Sequence, residues 1–127
     1  MGGFHPSPVL LIGLIIISLI LAACGPSDDT LTIYSGRSET LVQPIIEQFE
    51  KLTGIEVAIK YAGTAALAST LLEEGDNTPA DVFYAQDPGG LGAVEGMLSL
   101  LPDSILSKVP AWSRSPEALW VGISGRA

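Results

Sequence analysis

Two kinds of apolar pattern follow one another along the chain. Val9–Ala23 is almost unbroken (VLLIGLIIISLILAA). From Leu31 onward the apolar positions become periodic. Leu31-Thr32-Ile33-Tyr34 alternates and predicts a first strand. Ser38 is placed to cap a helix over Glu39–Leu52, in which Leu41, Val42, Ile45, Ile46, Phe49 and Leu52 recur on one face. Pro44 inside that run predicts a kink or a late start, and Gly54 fits the stop. Glu56–Tyr61 alternates again as a second strand. Thr64–Glu74 reads as a helix with Leu67, Leu71 and Leu72 facing inward and Gly75 ending it. After a turn at Asn77-Thr78-Pro79, Asp81–Ala85 is a third strand. Gly89–Leu98 reads as a short helix weakened by its glycines, and Pro102–Lys108 as a further helical turn. Leu119–Ser124 reads as another strand.

Strands alternating with helices predict an α/β fold on a parallel sheet, β-α-β-α-β. If the second and third strands flank the first on opposite sides, the first is a topological switch point. Ligands of such sheets bind beyond the strand C-termini at that point. The loops that meet there are Ser35-Gly36-Arg37-Ser38 and Gln86-Asp87-Pro88.

The N-terminal run is too short for a spanning helix, which needs about 20 residues. It has the length of a signal-peptide core. Leu21-Ala22-Ala23-Cys24 resembles a bacterial lipobox, in which cleavage precedes a cysteine that then carries lipid. Residues 1–8 lack the basic residues usual at the start of such a signal. The expected organisation is a signal peptide over 1–23, a lipidated Cys24 with a polar tether over 24–30, and a folded part over 31–127. The product is then exported and held at the membrane through its lipid.

Maturation removes His5, the one histidine, and uses up Cys24, the one cysteine. Nucleophilic chemistry by Ser-His-Asp or Cys-His is thereby excluded, as are Cys/His zinc sites. With no cofactor motif either, an enzyme is not expected. A bound metal must accept oxygen ligands. Fourteen acidic against six basic residues give a net charge of −8, which argues against a nucleic-acid partner.

Ser-Gly-Arg occurs at 35–37 and again at 124–126, each after an expected strand. Glycine-rich backbone, the helix start behind Ser38 and two guanidinium groups describe an oxyanion pocket. A chance repeat with two solvated arginines is an equal alternative. Tyr34, Tyr61 and Tyr84 read as half-buried packing residues more readily than as phenolate ligands. Trp112 and Trp120 also read as packing residues. Glu73, Glu74 and Asp76 read as a solvated acidic face.

Three blocks occur in order: YSGRSETLVQPIIEQFEKLTGIEV, EEGDNTPADVFYAQD and LWVGISGRA. Over Leu31–Ala127 the chain resembles ferric-iron substrate-binding proteins of ABC transporters. The resemblance implies a two-lobed type II periplasmic-binding-protein fold, of which 31–127 would be an incomplete first lobe. It also implies capture of Fe3+ with carbonate or phosphate as synergistic anion, and delivery to a permease. Many members carry a histidine ligand where Ser38 stands and a glutamate ligand where Gln86 stands, with Asp87 next. A branch lacking both holds iron through second-lobe tyrosines and an anion, and there Ser35, Gly36, Arg37, Ser38 and Arg126 would be the anion contacts. The same fold suits another cargo: sulfate, phosphonate, thiamine or a polyamine. A short membrane-tethered module complete at 127 residues is the reading from another class.

Overall fold

The computed structural model describes residues 30–125. The expected signal peptide over 1–23, Cys24 and Arg126 lie outside the described residues. Three parallel strands form the sheet: β1 (Leu31–Ser35), β2 (Val57–Tyr61) and β3 (Val82–Tyr84). Their order is β2-β1-β3, so β1 is the switch point. Register pairs Ile33 with Ile59 and Val82, and Tyr34 with Lys60 and Phe83.

The crossovers are helices α1 (Glu39–Thr53) and α2 (Thr64–Glu74). A right-handed crossover to one side of β1 and another back past it put the two helices on opposite faces. Period-two alternation divides the strands between them. Ile33, Val57, Ile59 and Tyr84 pack with Val42 and Ile46 of α1. Tyr34 and Phe83 pack with Leu67, Ala68 and Leu71 of α2. Val94 and Met97 join this second cluster from the segment after α3 (Pro88–Ala93).

Several expectations are corrected. Helix α1 runs through Pro44 without interruption. Ser38 holds the N-cap position in extended backbone, but its side chain makes no capping bond. Leu41, Ile45 and Leu52 are exposed, as is Leu72 on α2. A helix touching a three-stranded sheet has room to bury a narrow stripe, here Val42 and Ile46 on α1. The third helix ends at Ala93, and Glu95–Met97 continues as a 3-10 turn. The fourth is a single turn, α4 (Asp103–Leu106). Leu119–Ser124 is not a strand of the sheet. It folds back on the preceding residues through an antiparallel Arg114–Val121 bridge and a Ser115 N–H bond to the Trp120 carbonyl (3.0 Å). Those local bonds use the groups that would have joined a sheet. Trp112 is 84% exposed rather than packed. No helix among the described residues is long and apolar enough to cross a membrane.

Candidate functional site

β1 and β3 end side by side. Gly36 N–H donates to the Tyr84 carbonyl (2.8 Å), tying the first residue after β1 to the last of β3. The loops over 35–38 and 86–88 therefore leave the sheet together.

Inside the first loop the hydrogen bonds turn inward. Ser35 is fully buried. Its hydroxyl accepts from Arg37 N–H (3.2 Å) and donates to the Arg37 carbonyl (3.1 Å). Two amides expected to face an anion, those of Gly36 and Arg37, thus build the loop instead. Three other features of the loop remain for a ligand. Arg37 is half-buried, with no carboxylate within 4.0 Å among the described residues. Ser38 is exposed, its hydroxyl 3.2 Å from Thr40 Oγ1. The first turn of α1 also points here: the Leu41 and Val42 amides bond back to the Ser38 carbonyl, and the amides ahead of them are the open ones of a helix start. That terminus favours negative charge. Glu39 stands in the same turn, and with burial as the larger cause its charge raises the Tyr61 phenol above its ordinary pKa.

In the second loop Gln86 is exposed, and its N–H donates to Thr64 Oγ1 (3.0 Å). Asp87 caps α3, its Oδ1 accepting from Gly90 N–H (3.1 Å). One carboxylate oxygen is thereby engaged and Oδ2 is left. No group of three or more His, Cys, Asp or Glu side chains among the described residues is gathered as a metal cage.

Thr64 escaped the sequence reading. It opens α2, and its side chain sits between the two loops. A Cβ on Gly36 would overlap Thr64 Oγ1, and one on Gly90 would overlap Thr64 Cγ2. The only traces in the sequence are two glycines and a threonine, and no spacing connects them.

The tyrosines are engaged in packing. Tyr34 OH donates to both oxygens of Glu74 (2.8 and 3.0 Å). Lys60 Nζ lies 4.7 Å from the Tyr34 ring centroid and 3.7 Å from Glu74 Oε1. Thr78 also donates to Glu74 (2.7 Å). This corrects the reading of Glu74 as a solvated residue. Burial, then the Glu74 carboxylate, raises the Tyr34 phenol above its ordinary value. The Thr78 hydroxyl, with help from Tyr34 and Lys60 and against the opposing effect of burial, holds Glu74 below the usual carboxylate range. Tyr61 OH donates to Gln43 Oε1 (3.3 Å), and Tyr84 packs on the α1 side.

A parallel sheet with a switch-point strand and paired loops at its C-terminal edge is the ligand-binding architecture of open α/β folds. Comparison with known proteins identifies the family. A model of bacterial extracellular solute-binding proteins matches residues 31–99, and the chain belongs to that family. It is 29% identical over 122 residues to the Fe(3+)-binding periplasmic protein of Serratia marcescens, covering 94% of this chain and 36% of that protein. It is 30% identical over 119 residues to the major ferric iron-binding protein of Neisseria gonorrhoeae, covering 88% and 35%. Among solved structures, iron-bound HitA from Pseudomonas aeruginosa superposes with a TM-score of 0.71 at 33% identity, over 74% of this chain and 31% of that one. A Trichodesmium protein in complex with iron and citrate gives 0.67 at 38% identity, over 73% and 30%. The chain thus spans about a third of the length of these relatives. Its α/β fold is that of the periplasmic binding proteins.

Proposed function

We propose that this chain supplies the first-lobe face of an exported receptor that captures Fe3+ with a small anion and passes it to an ABC-transporter permease. The observation that carries the reading is the junction of the two loops at the switch point. One bears Arg37 without a carboxylate partner among the described residues, beside the α1 N-terminus, and the other bears Asp87. The names of the relatives support ferric iron as the cargo.

In this reading Arg37, Ser38 and the start of α1 hold carbonate or phosphate by charge and hydrogen bonding. The anion presents oxygens to the ferric ion, as do Asp87 Oδ2 and the Gln86 side-chain carbonyl. Oxygen donors suit this hard cation. Ser35 and Gly36 shape the loop, and Arg126 is a second anion contact. The facing ligands come from a second lobe, which the greater length of the relatives supports. Residues 1–23 are the signal peptide, and Cys24 carries the lipid that anchors the receptor outside the cell membrane. The chain binds and releases; it carries no catalytic step.

The test is retention of iron from ferric nitrilotriacetate, with and without bicarbonate, by the receptor in which this lobe is joined to its second lobe. Arg37→Ala should weaken retention about tenfold at fixed bicarbonate, the loss of one charge-assisted contact. Unchanged retention with unchanged bicarbonate dependence would remove Arg37 from the site. A second reading, an oxyanion as the cargo itself, rests on the same Arg37, which has no carboxylate partner among the described residues and stands beside the α1 N-terminus. It requires Arg37-dependent binding of sulfate or phosphate without iron.

A further inference from the structure

The two loops do not hold their spacing by contact with each other alone. At the floor of the junction, Gly36 N–H bonds to the Tyr84 carbonyl at the end of β3, which joins the first loop to the strand that leads into the second. Above it the gap is filled by one side chain from a third element, Thr64 at the start of α2. Each of its branches has a distinct task. Oγ1 accepts the Gln86 amide hydrogen at 3.0 Å and lies against Gly36. Cγ2 lies against buried Gly90 of α3, the residue whose amide is capped by Asp87. Neither Gly36 nor Gly90 has a left-handed backbone, so the absence of a side chain at both positions answers to space and not to conformation.

We propose that Thr64 is the positioning residue of the ligand site. Its hydroxyl sets the backbone of the Gln86–Asp87 loop, and its methyl sets the depth at which α3 docks. Through these contacts it fixes the distance between Arg37 on one loop and Asp87 on the other. The proposal rests on the reading that these loops face the cargo. It goes beyond that reading in naming what holds them in register. A threonine suits the task because it is stiff about χ1, so both branches are placed by one rotamer.

Two variants separate the branches. Thr64→Val keeps the shape and removes the acceptor. Thr64→Ser keeps the acceptor and removes the methyl. Amide exchange at Gln86 should accelerate at least about tenfold in the valine variant and stay within about twofold in the serine variant, with similar thermal midpoints. A role limited to packing would give the opposite order.

The methyl branch is tested by compensation. Gly90→Ala brings its new Cβ against Thr64 Cγ2, whereas its other neighbours, Ala85 Cβ and Thr64 Cβ, stay at 3.7 Å. Alone, it should speed exchange in both loops and lower ferric retention in bicarbonate about tenfold. Combined with Thr64→Ser, both should recover most of the way. Equal damage from Gly90→Ala in the two backgrounds, or unchanged Gln86 exchange in Thr64→Val, overturns the proposal. Should the receptor joined to its second lobe fail to retain iron from ferric nitrilotriacetate while the exchange pattern and the compensation hold, the cargo reading falls and the positioning role stands.

Discussion

On the α2 side of the sheet, Leu67 is fully buried and Val94 nearly so. On the α1 side, the best-buried residues keep a little exposure and Leu41 and Ile45 stand 59% and 61% exposed. Helix α1 carries more large apolar side chains than α2, so its poorer burial reflects what lies over it. Helix α2 is backed by α3 and the turn after it, which bring Val94, Met97 and Leu98 onto the cluster. Helix α1 has no second layer among the described residues. The sealed face also carries the polar clamp of Tyr34, Glu74, Lys60 and Thr78, which ties the far end of α2 to the sheet. The loops proposed to face a ligand leave the sheet beside the opposite end of the same helix, where Thr64 accepts the Gln86 amide hydrogen. One helix is thus held at both ends, by a clamp at its C-terminus and by the site loops at its N-terminus.

The comparison breaks most visibly in the core. Leu67→Ala should cost about 3 kcal/mol and Ile46→Ala about 2 kcal/mol, because the cavity beneath α2 is enclosed and the one beneath α1 can be filled by neighbours or water. Urea denaturation of the two variants measures this, and an equal or reversed order would mean that the α1 face is as tightly packed as the α2 face.

The clamp comes next. Tyr34→Phe removes the phenol hydrogen bond and should cost about 1 kcal/mol. The pH dependence has a definite sign. Glu74 is held below the ordinary carboxylate range in the fold. Its contribution is therefore complete above the unfolded carboxyl value and is lost as pH falls through the lower folded one. Tyr34 is shifted up. The fold then favours the protonated phenol, and stability falls as pH rises past the ordinary tyrosine value. Thermal melts across pH should show wild type losing more stability than Glu74→Gln on the acid side and more than Tyr34→Phe on the alkaline side. Parallel curves would show that the clamp is electrostatically idle.

The smallest effect is expected at the open face. Ile45→Gln should change stability by no more than about 0.5 kcal/mol, as for most exposed positions. A loss several times larger would reveal that something covers α1 in solution.

Much of the framework was legible from pattern. The three strands and both crossover helices follow from alternation and helical spacing, whereas the β2-β1-β3 order, only supposed from the sequence, came from the structure. Gly54 and Gly75 end their helices with positive φ, as their positions suggested. The apolar face of α1 was overcounted because periodicity tells which residues share a side, and not how wide a surface awaits them. Leu119–Ser124 misled because alternation in a short apolar run is equally satisfied by a local turn that pairs with residues just behind it. Glu74 misled because its partners, Tyr34, Lys60 and Thr78, come from three other places in the chain.

The sequence by itself determined the three sheet strands and the two crossover helices between them, since each depends on local periodicity and on the chirality of the backbone. Tertiary structure alone decided which donors in the loops over 35–38 and 86–88 are open. The Gly36 and Arg37 amides turn inward because β3 and Ser35 claim them, and Arg37 is left without a carboxylate neighbour among the described residues. It alone brought Thr64 between Gly36 and Gly90, residues far apart in the chain that share one small volume. Competition for hydrogen bonds and for space is settled only when distant segments meet, and no spacing along a single chain records it.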